Sequence, residues 1–188
     1  LLGIIWPAEG PSKLHTDNMG ARDSSYNPVN HSRMKHVARR HYFIRDMVED
    51  FELTVEWRFD PARGAGNSGV LLRKNGPDKV WPRSIEAQLW SSNAGDIWNI
   101  DRFPMVVDEE RTNGRHTRKR LPTNERPFGE WNRYRIRLDR GDLEVEVNGV
   151  VQNRARWCEE LSGEICLQSE GAEIHFRNIR LRPIIGHE

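Results

Sequence analysis

Residues 51–59, FELTVEWRF, decide the fold class of this chain. Apolar side chains occupy every odd position of the stretch, and polar or charged side chains occupy the positions between them. Successive side chains of a β-strand point to opposite faces, so this alternation predicts a strand with one buried and one solvated face. The same period recurs at residues 84–90, 131–138, 143–147, 165–168 and 174–181. Residues 51–182 show no convincing helical pattern, which predicts an all-β domain.

Two turn signals connect these runs. Asn148-Gly149 lies between alternating segments and predicts a hairpin, because both turn residues must adopt positive φ. The last run changes phase at Arg177-Asn178, and a β-bulge there would restore its inward face. Many short strands joined by turns predict an antiparallel sandwich or jelly roll. The expected core is Phe51, Leu53, Val55, Trp57, Ile85, Leu89, Ile136, Leu138, Val145, Ile165, Leu167, Ile174 and Phe176.

The regular pattern begins late in the chain. Residues 1–45 contain three prolines among several Asn and Asp residues, which predicts an irregular N-terminal segment. We therefore expect one jelly-roll domain over residues 46–184. Inside it, residues 91–129 form a long polar stretch with little periodicity.

The composition excludes several classes of protein. Hydrophobic residues make up 36% of the 188 residues, too many for a disordered chain. No apolar run approaches the roughly 20 residues of a spanning helix, so we expect no membrane span. Lys+Arg 29 against Asp+Glu 28 gives a net charge of +1, so we expect no nucleic-acid partner. The sequence does not indicate the oligomeric state.

The two cysteines and the first residues bear on the compartment. Cys158 and Cys166 can form a disulfide in an oxidising compartment or remain buried thiols. Residues 1–5, LLGII, are too short for a whole signal peptide and fit a remnant of one or a core segment. These features do not decide the compartment.

Residues 84–90 offer the first candidate site. The odd positions are apolar, so Glu86, Gln88 and Trp90 project from the opposite face. A carboxylate, an amide and an indole in a row are typical of a groove for polar, ring-shaped ligands. The solvated face of an ordinary sheet has the same pattern.

Two further segments carry candidate residues. In residues 67–73, Gly69 allows close approach of backbone or ligand, Asn67 precedes it and Arg73 follows at the strand end. Gln168 lies on the face opposite its apolar neighbours. A tight turn and a solvated polar face account for these residues as well as a functional site does.

Metal and anion sites are weakly indicated. Asp96, Asn99 and Asp101 can supply oxygen ligands to calcium, although turns use the same residues. No His pair has ligand spacing, so we assign no metal ligands. The basic run at residues 111–120 suits an anionic ligand or a solvated loop.

Seven short blocks resemble the 3-keto-disaccharide hydrolase domain family, in the family's order. They are DFEL at 50–53, NSGV at 67–70 with Arg73, IEAQL at 85–89, GEWN at 129–132, VNG at 147–149, ICLQ at 165–168 and FRNI at 176–179. The family's usual opening, a Phe-Asn-Gly-like start before a Gly-Trp pair, is absent, so residues 1–45 have no counterpart.

The resemblance implies a concanavalin-like, laminarinase-like jelly roll with a concave carbohydrate groove. It also implies action on glycosides or disaccharides oxidised to a ketone at the third carbon, by extracellular or periplasmic bacterial proteins. Such a ketone acidifies the neighbouring C–H bond. Elimination of the glycosidic oxygen, followed by addition of water, then gives net hydrolysis.

Elimination requires a base, a stabiliser for the enolate and an acid for the leaving oxygen. We expect Glu86 to be the base or acid, Arg73 the enolate stabiliser or substrate clamp, and His116 a second proton carrier. The expected sugar-binding residues are Asn67, Gln88 and Gln168, with Trp90 or Trp98 as a stacking platform. No cofactor is assigned, and a divalent metal ion is the alternative to Arg73.

Two other functions remain open. One is a non-catalytic carbohydrate-binding module on the same scaffold, since fold does not fix function. The other is an ordinary glucanase, which needs a second carboxylate roughly 5–9.5 Å from Glu86. The adjacent same-face position in this strand is Gln88, which disfavours the glucanase.

Overall fold

A computed structural model describes residues 39–77, 79, 81–170 and 172–184, with the backbone alone for residues 39–48. These residues form twelve strands and one 3-10 helical turn, Glu109–Arg111. The strands are β1 Arg39–Val48, β2 Phe51–Phe59, β3 Gly69–Asn75, β4 Arg83–Gln88, β5 Ile97–Ile100, β6 Thr112–Asn113, β7 His116–Thr117, β8 Asn132–Asp139, β9 Asp142–Val147, β10 Val150–Ala155, β11 Gly163–Glu170 and β12 Ile174–Pro183.

The strands form two antiparallel sheets. One sheet has seven strands in the order β1-β11-β3-β4-β5-β7-β6, and the other has five in the order β10-β9-β8-β2-β12. The predicted all-β sandwich is confirmed. The described residues form no helix that is long and apolar enough to cross a membrane.

The core lies between the inner faces of the two sheets. In β2 every odd residue is buried and every even residue is partly exposed, which confirms the predicted period of two. All predicted core residues are buried except Ile174 and Phe176, which pack against the core while half-buried. Both belong to β12, an edge strand with one neighbouring strand to cover it.

Both predicted turn features are present. Asn148 and Gly149 have φ of 47° and 85° and connect β9 to β10 as a hairpin. The pairing of β12 with β2 shifts between Arg177 and Arg180, with Asn178 at φ 51°. This bulge returns Ile179 and Leu181 to the core side, where they pack against it.

The structure differs from the sequence prediction in two places. Strand β1 begins at Arg39, inside the segment predicted to be irregular, and pairs with β11. Its sequence, RRHYFIRDMV, has three consecutive apolar residues instead of alternation. The polar stretch 91–129 contains β5, β6 and β7, which are too short to display a period. The rest of the predicted irregular segment, residues 1–38, lies outside the described residues.

Charged side chains form columns along the strands on the outer face of the five-stranded sheet. Across the order β10-β9-β8-β2-β12, the columns are basic, acidic, basic, acidic and basic. Their main members are Arg154; Glu144 and Glu146; Arg133, Arg135 and Arg137; Glu52 and Glu56; and Arg177, Arg180 and Arg182. Ion pairs link neighbouring columns, at 2.7 Å for Arg154–Glu144, 2.8 Å for Arg135–Glu52 and 2.6 Å for Arg177–Glu56.

Both cysteines are free and buried. Cys158 belongs to the core, whereas Cys166 alternates with the core residues Ile165 and Leu167 and faces outward from the seven-stranded sheet. Of the two alternatives open in the sequence, the buried thiols are the ones present in this structure.

Candidate functional site

The strand register aligns several predicted site residues on the outer face of the seven-stranded sheet. Glu86 pairs with Leu71 on one side and with Trp98 on the other, and Trp98 pairs with His116. Residues directly opposite in antiparallel strands project from the same face, so these side chains form one row across β3, β4, β5 and β7.

Glu86 and Gln168 meet above Gly69. A Cβ placed on Gly69 would lie 2.5 Å from Glu86 Oε1 and 2.7 Å from Gln168 Oε1. These separations are far below van der Waals contact, so the two side chains occupy space that exists only because residue 69 is glycine. The sequence predicted close approach of backbone or ligand at this glycine, and the groups that the structure places there are two side chains.

The amide of Gln168 is unsatisfied. This residue is 0% exposed, and neither its Oε1 nor its Nε2 has a hydrogen-bond partner. Among the described side chains it is the one with both polar atoms in this state. Buried polar groups are nearly always paired in proteins, so an unpaired amide beside the buried carboxylate of Glu86 marks a place for a ligand.

Gln88 and Asn67 extend the polar surface along the next row. Gln88 Nε2 donates to Asn67 Oδ1 at 2.5 Å, and Asn67 Nδ2 donates to Glu170 Oε2 at 2.9 Å. Gln88 also pairs with Gly69 across β3 and β4. The structure therefore brings Asn67, Gln88, Gln168 and Glu86 together around one glycine.

His116 is held in place by two contacts. Its Nε2 lies 2.7 Å from Asp96 Oδ2, and its ring stacks on Trp98 with centroids 4.4 Å apart and 9° between planes. Asp96 is buried and also accepts a hydrogen bond from the Lys119 backbone N–H at 2.9 Å. A carboxylate bonded to one ring nitrogen fixes the orientation of an imidazole and leaves the other nitrogen for a substrate.

The two predicted stacking residues differ in position. Trp98 lies in the row beside Glu86 and is partly buried. Trp90 follows the end of β4 and is 52% exposed. Trp98 already contacts His116 and the guanidinium of Arg115, so Trp90 is the freer indole surface for a sugar.

Arg73 is not part of this surface, which corrects the role predicted for it. It is 0% exposed, and its guanidinium donates to the carbonyl oxygens of Glu49, Cys158, Glu159 and Arg140 and to Asp50 Oδ1. Burial lowers the pKa of Arg73, and the Asp50 carboxylate opposes that shift. Arg73 therefore ties loops together at one end of the sandwich and has no donor left for substrate.

The predicted calcium ligands are also apart. Asp96 binds His116 and Lys119, Asn99 Nδ2 donates to the Phe103 carbonyl oxygen at 2.7 Å, and Asp101 pairs with Lys79 at 2.6 Å. One cluster of potential metal ligands occurs among the described residues, formed by Asp60, Glu173 and His175. It belongs to the five-stranded sheet and does not include Glu86.

Sequence analysis missed Asp96 as the partner of His116 and the pair Trp81 and Arg115 beside Trp98. Asp96 and Trp98 are two positions apart, so in a strand their side chains project from the same face, and this spacing was the available signal. Recognising it required the β5 strand, whose four residues are too few to display alternation.

A two-sheet antiparallel sandwich with a row of polar and aromatic side chains on one outer face defines a jelly roll of the carbohydrate-active or carbohydrate-binding class. A family model described as the 3-keto-alpha-glucoside-1,2-lyase-like domain matches residues 24–182. The chain belongs to this family, which confirms the resemblance found in the sequence. The match begins at residue 24, so the expectation that residues 1–45 have no counterpart is wrong for residues 24–45.

Solved structures share the fold. Two candidate glycosyl hydrolases from Parabacteroides distasonis ATCC 8503 superpose with TM-scores of 0.55 and 0.52 at 19% and 20% identity. The alignments cover 79% of this chain and 85% of the first structure, and 73% of both chains for the second. The carbohydrate binding module CBM66 from Bacillus subtilis has a TM-score of 0.54 at 11% identity, over 76% of this chain and 81% of that one. Identities this low establish the fold alone.

A short segment matches curated proteins of a different kind. Two retrovirus-related Pol polyproteins, from the transposons RE2 and RE1 of Arabidopsis thaliana, are 47% identical to this chain over 45 residues. The match spans 24% of this chain and 3% of each polyprotein. So short a match says nothing about the activity of the jelly roll.

Proposed function

We propose that this domain cleaves 3-keto-glycosides by base-assisted elimination followed by hydration. The observation that carries the proposal is the meeting of the Glu86 carboxylate and the unpaired Gln168 amide above Gly69. Membership of the 3-keto-alpha-glucoside-1,2-lyase-like family supports the substrate class. The proposal includes an extracellular or periplasmic bacterial location, with which a carbohydrate-active family is compatible.

Glu86 is the proposed base. It removes the proton from C2, next to the C3 ketone, and the electrons of that C–H bond pass into the ketone as an enolate. The enolate then expels the oxygen on C1 and leaves a C1=C2 double bond. Water adds its hydroxyl to C1 and a proton to C2, so the net reaction is hydrolysis. Glu86 is 3% exposed, and a base shielded from water is more effective at such a transfer.

Gln168 is the proposed stabiliser of the enolate oxygen. Its buried amide N–H groups have no acceptor, so a developing negative charge gains their hydrogen bonds without displacing any other partner. Gln168 takes the role predicted for Arg73, whose donors are all used elsewhere. A divalent metal ion at the ketone remains an alternative electrophile.

His116 is the proposed acid for the leaving oxygen. It lies two strands from Glu86, about 10 Å across the sheet, with Trp98 between them. A sugar ring bound over this row would present its C2 to Glu86 and its glycosidic oxygen toward His116. The bond to Asp96 orients the ring for this step.

The test is the cleavage of a 3-keto disaccharide and its unoxidised parent, followed by chromatography. Glu86→Gln keeps shape and hydrogen-bonding reach but cannot take up a proton, so turnover should fall about 100-fold or more. Glu144→Gln, on the outer face of the other sheet, is the matched control and should retain full activity. Undiminished cleavage by Glu86→Gln contradicts the assignment.

A carbohydrate-binding module is the second candidate. The neighbours of Glu86 along its row and strand are Leu71, Trp98 and Gln88, so no carboxylate adjoins it in the pairing register. A surface of amides and indoles, on which the Asp96 carboxylate is engaged by His116 and by the Lys119 N–H, suits binding as well as elimination. Sugar binding without cleavage of either disaccharide, with and without added divalent metal, would favour this function.

A further inference from the structure

Arg115 is held beside the site by two aromatic rings. It lies at the turn between β6 and β7, and its guanidinium carbon is 5.2 Å from the Trp98 ring centroid and 5.3 Å from that of Trp81. Its carbonyl oxygen accepts a hydrogen bond from Asn99 N–H at 2.8 Å. The backbone and the side chain are thus both positioned by the strand that carries Trp98.

The hydrogen-bond donors of Arg115 have no partner among the described residues. Within the described part of the chain, its guanidinium forms contacts with aromatic rings but no hydrogen bond or ion pair. Contact with rings engages the flat faces of a guanidinium and leaves its five N–H groups directed outward in the plane. Arg111, four residues earlier, differs, because it binds Asp108, the Arg118 carbonyl oxygen and Asn153.

The surrounding segment carries a small positive net charge. Residues 108–126 contain six cations, Arg111, Arg115, Arg118, Lys119, Arg120 and Arg126, and four carboxylates, Asp108, Glu109, Glu110 and Glu125, of which Asp108 pairs with Arg111. Glu125 is itself engaged, since it accepts hydrogen bonds from Ala94 N–H at 3.2 Å and Thr123 Oγ1 at 2.9 Å. The nearby Asp96 is bonded to His116 and Lys119. The field at this end of the site therefore favours an anion.

We propose that Arg115 is a subsite for the anionic group of an acidic sugar, a carboxylate or sulfate on the unit next to the one at Glu86. Trp98 lies directly opposite Glu86 and contacts Arg115, so a ligand that extends from the carboxylate past this indole reaches the guanidinium. The planar fork of Arg binds carboxylate and sulfate oxygens bidentately. This inference rests on the proposed function, because it requires a sugar on the outer face.

The experiment is isothermal titration of the protein with cellobiose and with cellobiouronic acid, which differs by one carboxylate. At about 50 mM salt we expect the acid to bind about tenfold more tightly, as for a charge-assisted pair, and the difference to shrink at about 500 mM salt. Arg115→Met should abolish the preference and change the affinity for cellobiose less than about twofold. Arg118→Met, an exposed arginine of the same loop, should keep the preference.

Three outcomes overturn the inference. Equal affinity for the two sugars contradicts the anionic subsite, and cleavage of a neutral 3-keto disaccharide would then leave the proposed function standing. Acetate or sulfate that binds as tightly as cellobiouronic acid shows a general anion patch and no sugar subsite. Absence of binding by both disaccharides contradicts the inference, and the separate cleavage assay then decides the proposed function.

Discussion

Alanine substitutions at Gly69 and Gly163 should have different effects, because Gly69 is required by the candidate site and Gly163 by the fold. In Gly69→Ala the new Cβ meets only side-chain atoms, Oε1 and Cγ of Glu86 and Oε1 of Gln168, which can move without a shift of the backbone. In Gly163→Ala it lies 2.5 Å from the Arg73 carbonyl carbon and 2.6 Å from its Cα, which cannot. We expect Gly69→Ala to lose cleavage and sugar binding while its free energy of unfolding changes by less than about 1 kcal/mol.

Gly163→Ala should instead lose about 1–3 kcal/mol of stability, because backbone must move to admit the methyl group. Urea unfolding of both variants, with activity measured on the folded fraction, checks the contrast. Normal activity in Gly69→Ala would show that the convergence of Glu86 and Gln168 is irrelevant to function.

Arg73 supports stability instead of chemistry. Arg73→Met removes the donor to four carbonyl groups and one donor to the Asp50 carboxylate, which still accepts from the Arg140 N–H, so unfolding should require about 3–5 kcal/mol less. Arg73→Lys keeps the charge but loses the planar fork, so it should recover only part of this loss. The matched control is Arg156→Met at an exposed arginine, expected to change stability by less than about 0.5 kcal/mol. Chemical denaturation measures all three.

Strand parity explains why some site residues were predictable and Arg73 was not. Glu86 and Gln88 lie in a regular strand, so their outward direction follows from the apolar residues between them. Arg73 has a φ of 48°, and the pairing of β3 with β4 shifts between Leu72 and Asn75. Parity no longer gives the direction of a side chain beyond such a break.

At the scale of the element, the bulge in β12 depends on Asn178. Its φ of 51° is strained for most side chains, and Asn tolerates it. We expect Asn178→Val to cost about 1–2 kcal/mol of stability and Asn178→Gly less than about 1 kcal/mol, although Gly also loses the bond from Asn178 Nδ2 to Glu56 Oε2. Thermal unfolding compares them. A Val variant as stable as the parent would contradict a strained bulge.

The length of a strand and the burial of its faces decide whether the strand can be predicted from the sequence. Strands β2, β8 and β9 have six to nine residues with one face in the core, so the alternation is plain. The register that aligns Glu86, Trp98 and His116 depends on β5 and β7, which have four and two residues. Such short strands are specified by their neighbours in the sheet, and a local pattern cannot reveal them.

At the scale of the whole molecule, no disulfide links the described strands and loops. Burial raises the pKa of Cys158 to about 12, although Arg73 opposes the shift, and Cys166 is 0% exposed. Because the thiolate is the reactive form, the native protein should react slowly with a disulfide reagent at pH about 8.5. Both thiols should react rapidly in concentrated urea. One fast equivalent in the native protein would contradict the burial of both.

The charged columns on the five-stranded sheet read the same from either edge, since both outer columns and the middle one are basic. A twofold axis through the centre of this face, parallel or perpendicular to the strands, would therefore place arginine columns of one copy on arginine columns of its mate, and glutamate columns on glutamate columns. Only a sideways step of one strand spacing, about 4.8 Å, would match opposite signs, and an arginine column would then be left over at each side. The palindrome of charge thus opposes face-to-face pairing of two copies about a twofold axis at the centre of this sheet.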